Sequence, residues 1–171
     1  HLVICIHGIR SYGGWQIKFT HEVEKSNKQV RVFRYRYGFF DLMSLLVPIY
    51  RRRAISQLEK QLRAIIEERA PSRVDIFAHS FGTYIIFQAL KGISNVYNSD
   101  LPIHTIVFAG SVLRQTEDIR GLIEKIGAER FVNECGNSDS VLLLSQFIVL
   151  GMGMAGRVGF IALEDDSFQN R

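Results

Sequence analysis

The feature that most restricts this chain is an alternation of short apolar runs, of strand length, with stretches of helical periodicity. Leu2–Ile6 is a continuous apolar run ending in His7-Gly8, the pattern of a strand covered on both faces. A loop with Gly13-Gly14 and a helix over residues 15–25 follow. Residues 30–37 are rich in β-branched and aromatic side chains, but Arg31, Arg34 and Arg36 alternate with them, so part of this strand faces water, as at a sheet edge. Over residues 52–70, Ile55, Leu58, Leu62, Ile65 and Ile66 recur at helical spacing until Pro71 stops the pattern. Residues 73–78 are the next strand, followed by a helix over 81–90 closed by Gly92. A strand over Ile103–Ala109, a helix over 117–126 with acidic residues in its first turn, and a strand over Arg130–Glu134 complete the pattern. This order predicts an α/β fold: a mostly parallel sheet of about five strands, helices on both faces and right-handed connections. Ligands then belong at the carboxyl ends of the strands.

The 171 residues, 47% apolar and 22% charged, fit one soluble globular domain over 1–171 with a core that needs no disulfide or structural metal. Cys5 and Cys135 belong to no C-x-x-C pair or histidine cluster, so zinc and c-type haem are not expected, and a reducing, cytoplasmic setting is. The net charge of +4 hides an asymmetry: residues 1–73 hold 14 Lys/Arg against 6 Asp/Glu, and residues 74–171 hold 7 against 11. Arg51, Arg52 and Arg53 form the one tight basic cluster, whose ordinary reading is a solvated helix start. Without zinc-finger spacing or an RNP-like aromatic run, no nucleic-acid partner is expected. The chain opens on His1 and enters an apolar run within one residue, so it reads as an excerpt, incomplete at both ends.

Three motifs fall at strand ends. Ala78-His79-Ser80-Phe81-Gly82 joins a strand to a helix. A turn that sharp presses the backbone against its neighbours and demands small side chains two residues either side of the serine, which Ala78 and Gly82 supply. It would lift the Ser80 hydroxyl to a helix start, where N–H groups and the positive dipole end favour an anion. The simpler alternative is that Ser80 caps the helix. His7-Gly8-Ile9-Arg10 ends the first strand. Asn133-Glu134-Cys135-Gly136-Asn137-Ser138-Asp139 follows the strand over Arg130–Glu134, and there Asp139 is either a functional acid or the cap of a helix over 141–150.

Together these motifs resemble the α/β-hydrolase superfamily, with Ala78 in place of the first glycine of G-x-S-x-G. The resemblance covers nearly the whole chain and implies a fragment that begins at the strand carrying the oxyanion loop and lacks two earlier strands. It implies that Ser80 is the nucleophile, that the backbone N–H groups of Ile9 and Phe81 are oxyanion donors, and that His7 holds the oxyanion loop by hydrogen bonds. Gly8 keeps the acyl approach open. Asp139, three residues after Gly136, is the acid that orients a base. The implied activity is that of a serine hydrolase, similar to an esterase, lipase or thioesterase, acting on a small-molecule or lipid-like apolar acyl ester through an acyl-enzyme, with no cofactor and no metal. An acyltransferase uses the same chemistry, and a non-catalytic interaction domain on this scaffold is the alternative of a different class.

The base is missing from the pattern. His1, His7, His21, His79 and His104 all precede Asp139, whereas in this superfamily the base follows the acid. His79 adjoins Ser80, but consecutive residues in such a turn point apart. The expectation is that the last strand and the base lie beyond Arg171, leaving this piece inactive by itself. The connection from Ala109 to Glu117 is too short for an inserted cap. The apolar residues 39–50, running into three arginines, are a candidate acyl-pocket wall or peripheral membrane contact, or they pack over the first helix. Gly151-Met152-Gly153-Met154-Ala155-Gly156 matches G-x-G-x-x-G, but too little chain follows for a dinucleotide site, and a turn under the site is expected instead.

Overall fold

A computed structural model of the chain describes residues 1–8, 14–35, 47–96, 101–136, 153–161 and 165–171. Six strands, β1 (Leu2–Ile6), β2 (Arg31–Tyr35), β3 (Val74–His79), β4 (Ile103–Ala109), β5 (Arg130–Glu134) and β6 (Phe168–Asn170), form one sheet in the order β2-β1-β3-β4-β5-β6. Every pairing is parallel. The helices are α1 (Gly14–Ser26), α2 (Pro48–Arg69), α3 (Phe81–Ser94), α4 (Ile119–Ile126) and α5 (Ala155–Val158). The expected α/β architecture is present.

Alternation of side chains along the central strands splits the helices between the two faces. Ile4 and Ile6 of β1 and Ile76 and Ala78 of β3 point into one core with Ala54 and Leu58 of α2 and Ile85 and Ile86 of α3. The intervening residues face α1: Phe77 stacks on Phe19 at 5.0 Å between ring centroids, and the Gln16 side-chain amide donates to the Cys5 carbonyl at 3.1 Å. Strands buried on both faces explain why β1 reads as an unbroken apolar run. β2 is the sheet edge, as its arginines required, with Arg31 and Arg34 exposed and Tyr35 buried.

Several boundaries differ from the sequence expectation. α3 continues past Gly92 to Ser94, with that glycine inside the helix beside the Glu59 carboxylate of α2. α4 begins at Ile119 rather than 117. Glu117 and Asp118 precede it, and Asp118 caps it by accepting from the Gly121 N–H at 2.8 Å. A sixth strand, β6, lies beside β5, one more than the roughly five the sequence predicts. α2 starts at Pro48, four residues before the periodic pattern, with Pro in the first turn where its missing N–H costs nothing. Among the described residues no helix is long and apolar enough to cross a membrane. The predicted helix over 141–150 and the segment over 36–46 lie outside the described residues.

Two buried acids tie this core to alkaline stability. Burial pushes the Cys5 thiol up to about 12 and the Tyr35 phenol up to about 12. Both folded values exceed the unfolded ones, so their contribution is intact below pH 9 and is lost as pH rises toward 12. Urea unfolding measured from pH 8 to 11.5 should show a fall in stability on the order of several kcal/mol. The fall should shrink in Tyr35→Phe and again in the double variant with Cys5→Ala.

Candidate active site

β3 ends at His79 and α3 begins at Phe81, so one residue must reverse the chain. That residue, Ser80, has φ 54° and ψ −126°, a region L-residues rarely enter and which costs on the order of 1–3 kcal/mol. The surroundings hold it there. Its N–H donates to the Ala109 carbonyl at the end of β4 (2.9 Å), and its carbonyl accepts from the Thr83 N–H (3.0 Å) and hydroxyl (2.7 Å). The Ser80 side chain makes no capping hydrogen bond to α3, so the simple helix-cap reading does not describe it.

The hydroxyl instead lies against the end of β1. A Cβ added at Gly8 would stand 2.6 Å from Ser80 Cβ and 3.1 Å from Ser80 Oγ. The glycine was expected to leave room for an acyl group; in the structure it first leaves room for the serine itself. A Cβ at Gly82 would meet the carbonyl oxygens of His7 (2.8 Å) and Ile6 (2.9 Å), so the first turn of α3 presses on the end of β1. Ala78 is fully buried in the central strand. Small residues therefore flank the turn on both sides, Ala78 in the core and Gly82 against β1. No acidic residue occupies the first turn of α3, leaving its positive dipole end uncompensated beside the hydroxyl.

His7, half-buried, approaches the Gly8 carbonyl with Nδ1 at 2.6 Å. A carbonyl only accepts, so Nδ1 donates this hydrogen bond. His79 keeps one side exposed and lays the other toward Trp15, with centroids 5.8 Å apart. Burial of that side, and secondarily the charge of His7, hold its pKa below the usual histidine value. The remaining histidines are elsewhere. His1 pairs with Asp75 (2.7 Å) and His104 with Glu129 (3.0 Å) at the amino edge of the sheet, and His21 is exposed on α1 beside Glu22 (3.3 Å).

Thus His7, Gly8, Ala78, His79, Ser80, Phe81 and Gly82 meet at the carboxyl edge of β1 and β3. Ile9 and Asp139 lie outside the described residues. The chain leading toward Asp139 leaves from the same edge: the Gly110 N–H donates to the Glu134 carbonyl (3.2 Å) and the Gly136 N–H to the Gly156 carbonyl (3.0 Å). Cys135, beside it, has its thiol pKa raised, first by burial. Among the described residues no group of three His, Cys, Asp or Glu is placed to hold a metal ion.

Sequence reasoning missed the polar brace behind the serine. Thr83 and Ser111 are fully buried. The Ser111 hydroxyl donates to Thr83 Oγ1 (3.4 Å), Val112 N–H donates to the same oxygen (3.3 Å), and Leu113 N–H donates to Ser111 Oγ (3.3 Å). The loop after β4 is therefore fastened to the turn at Ser80. One signal was available, a threonine at the start of an otherwise apolar helix. Two glycines of G-x-G-x-x-G also find their reason here: a Cβ at Gly153 would collide with the backbone of Leu113 and Arg114, and one at Gly156 with that of Gly110 and Ser111, while Gly151 lies outside the described residues. These two glycines serve close packing of α5 under the site. Buried Asn133 anchors that helix by donating from Nδ2 to the Ala155 carbonyl (2.8 Å) and to Asn170 Oδ1 (3.1 Å).

The fold and site thus define an α/β domain with a serine on a strand-to-helix turn at the carboxyl edge of a parallel sheet. No family model matches the chain, and no curated protein matches it. Among solved structures it is similar to phospholipase PlaB from Legionella pneumophila in complex with thio-NAD, at 17% identity and a TM-score of 0.49, over 66% of this chain and 25% of that one. It is also similar to an extracellular alpha/beta-hydrolase from a Paenibacillus species that shares structural and functional homology with tobacco salicylic acid binding protein 2. There the identity is 18% and the TM-score 0.45, over 72% of this chain and 48% of that one. The chain spans a quarter of the first structure and about half of the second.

The contacts around Ser80 make the site sensitive to single atoms. Gly82→Ala should destabilise the fold by about 1–3 kcal/mol through overpacking against β1. Thr83→Val should cost a similar amount, about 1–3 kcal/mol, by leaving the Ser111 hydroxyl and Val112 N–H without their acceptor. Denaturant midpoints that stay at the wild-type value in both variants would contradict the packing described.

Proposed function

We propose that the chain carries the nucleophile of a serine hydrolase of the α/β-hydrolase type, cleaving an ester or thioester of an apolar acyl group. The observation that carries this reading is the conformation of Ser80: a strained residue between strand and helix, its hydroxyl unused for capping and set against the backbone of Gly8. A strained, non-capping serine at a helix start is the arrangement a nucleophile elbow requires, and strain of this kind persists where a site needs a fixed geometry.

In this reading Ser80 Oγ attacks the acyl carbonyl and gives its proton to a base. The N–H groups of Phe81 and Ile9 hold the developing oxyanion beside the positive end of α3. Collapse of the tetrahedral intermediate expels the alcohol or thiol, which takes the proton back from the base. Water then repeats the sequence on the acyl-enzyme and releases the acid. Asp139 fixes the tautomer of the base and stabilises its cation. The base is a histidine in chain that follows β6. Transfer to an acceptor other than water would make the same site an acyltransferase.

A fluorophosphonate probe applied to the full-length protein tests the nucleophile. Labelling that disappears in Ser80→Ala, with the circular dichroism spectrum kept, is the expected result; no labelling of a folded wild-type sample would leave a non-catalytic interaction domain. The 171-residue chain alone should hydrolyse p-nitrophenyl esters slowly or not at all. Fast, Ser80-dependent turnover by that piece would move the base to one of its five histidines, with His7 the first to substitute.

A further inference from the structure

α2 turns Ala54, Leu58, Leu62 and Ile65 into the core. At 100° per residue, Ile49, Arg53, Ser56 and Lys60 fall along the opposite side. At the start of the helix Ile49, 54% accessible, stands on that side, with Val47 (42%) just before the helix and Tyr50 (38%) on its flank. Arg51, half-buried, and Arg52 and Arg53, exposed, follow directly, with the Arg53 guanidinium 5.9 Å from the centre of the Tyr50 ring.

This composition works against the helix. Three cations stand in its first two turns, at the positive end of the dipole, with no acidic residue in the first turn to offset them. Farther along α2 Arg63 pairs with Glu59, and among the described residues no carboxylate pairs with Arg51, Arg52 or Arg53. Among the described residues the surface therefore sets exposed apolar side chains beside cations that have no carboxylate partner. A nucleic acid would answer the second and leave Val47 and Ile49 wet. An anionic lipid interface answers both, with headgroup phosphates for the arginines and the acyl boundary for the apolar side chains.

The position of this surface adds to the argument. The Tyr35 hydroxyl donates to the Ala54 carbonyl at 3.2 Å, which fastens the second turn of α2 to the last residue of β2. Tyr35 is level with Ile6, and Ile6 with Ala78, two residues before Ser80. The start of α2 and the serine thus share the carboxyl edge of the sheet.

We propose that Val47, Ile49, Tyr50, Arg52 and Arg53 form a docking surface for anionic membranes. Docked there, the start of α2 brings the carboxyl edge of the sheet close to the bilayer. If Ser80 is the nucleophile, a reading on which this consequence rests, the acyl ester is one that resides in a lipid surface.

Vesicle flotation of the full-length protein tests the surface, using phosphatidylcholine alone and phosphatidylcholine with phosphatidylserine. Binding is expected to the anionic vesicles only and to weaken in high salt. Each arginine near the surface contributes a factor of about 5, so Arg52→Gln with Arg53→Gln should weaken binding about 25-fold. Ile49→Ser should weaken it as well, with the far-ultraviolet spectrum unchanged. The proposal fails if neither vesicle binds, if the double arginine variant binds as well as wild type, or if single-stranded DNA displaces the protein from vesicles while Ile49→Ser binds normally. Ser80→Ala should float with the vesicles like wild type. Flotation without fluorophosphonate labelling would keep the docking surface and discard the hydrolase reading; labelling without flotation would do the reverse.

Discussion

The contact on which this structure depends is the approach of the end of β1 to the turn at Ser80. Parallel pairing brings Ile6 level with Ala78, so the next residues of the two strands emerge together at the carboxyl edge. There the chain after β3 reverses within one residue, and the chain after β1 must pass beside it. Only a glycine at 8 clears the serine side chain, and only a glycine at 82 lets α3 settle on the carbonyls of Ile6 and His7. The strain at Ser80 is sustained from behind by the Ala109 carbonyl and by the buried Thr83 and Ser111 hydroxyls. Packing, backbone strain and the position of a reactive group are one arrangement here.

The same edge collects the rest of the chemistry. The loop after β4 is bonded to Thr83, α5 is wedged beneath it at Gly156, and the chain beyond Gly136 leaves from the end of β5 alongside. The opposite edge is a different environment, where Asp75 holds His1 and Arg73 and accepts from the Thr105 N–H. A parallel sheet makes this division unavoidable, because all strand ends of one kind lie on one side. That explains why His104, although on a central strand, is remote from Ser80.

Much of this was legible in the residues. The apolar runs of β1, β3 and β4 announced strands covered on both faces, and the arginines of β2 announced an edge. Ala78, Ser80 and Gly82 announced a tight strand-to-helix turn, since small side chains at that spacing have a steric meaning that survives without coordinates. Other features were not legible. β6 is three residues long and flanked by polar chain, so its pairing with β5 defines it rather than its composition. Gly92 read as a helix stop because glycine commonly is one, yet it lies inside α3, beside Glu59 of another helix. Glu117 and Asp118 read as a helical first turn, while the side chain of Asp118 caps the helix from outside.

By itself, the sequence determined the alternation of elements, the class of sheet and the place where the chain must turn sharply, because side-chain size, branching and apolar period act over a few residues. Only the tertiary structure decided what Ser80 does with its hydroxyl, which histidines stand near it, and that the start of α2 shares its edge. Those outcomes depend on the register between strands distant in sequence and on backbones packed closely enough that one Cβ would collide, and no local pattern carries that information.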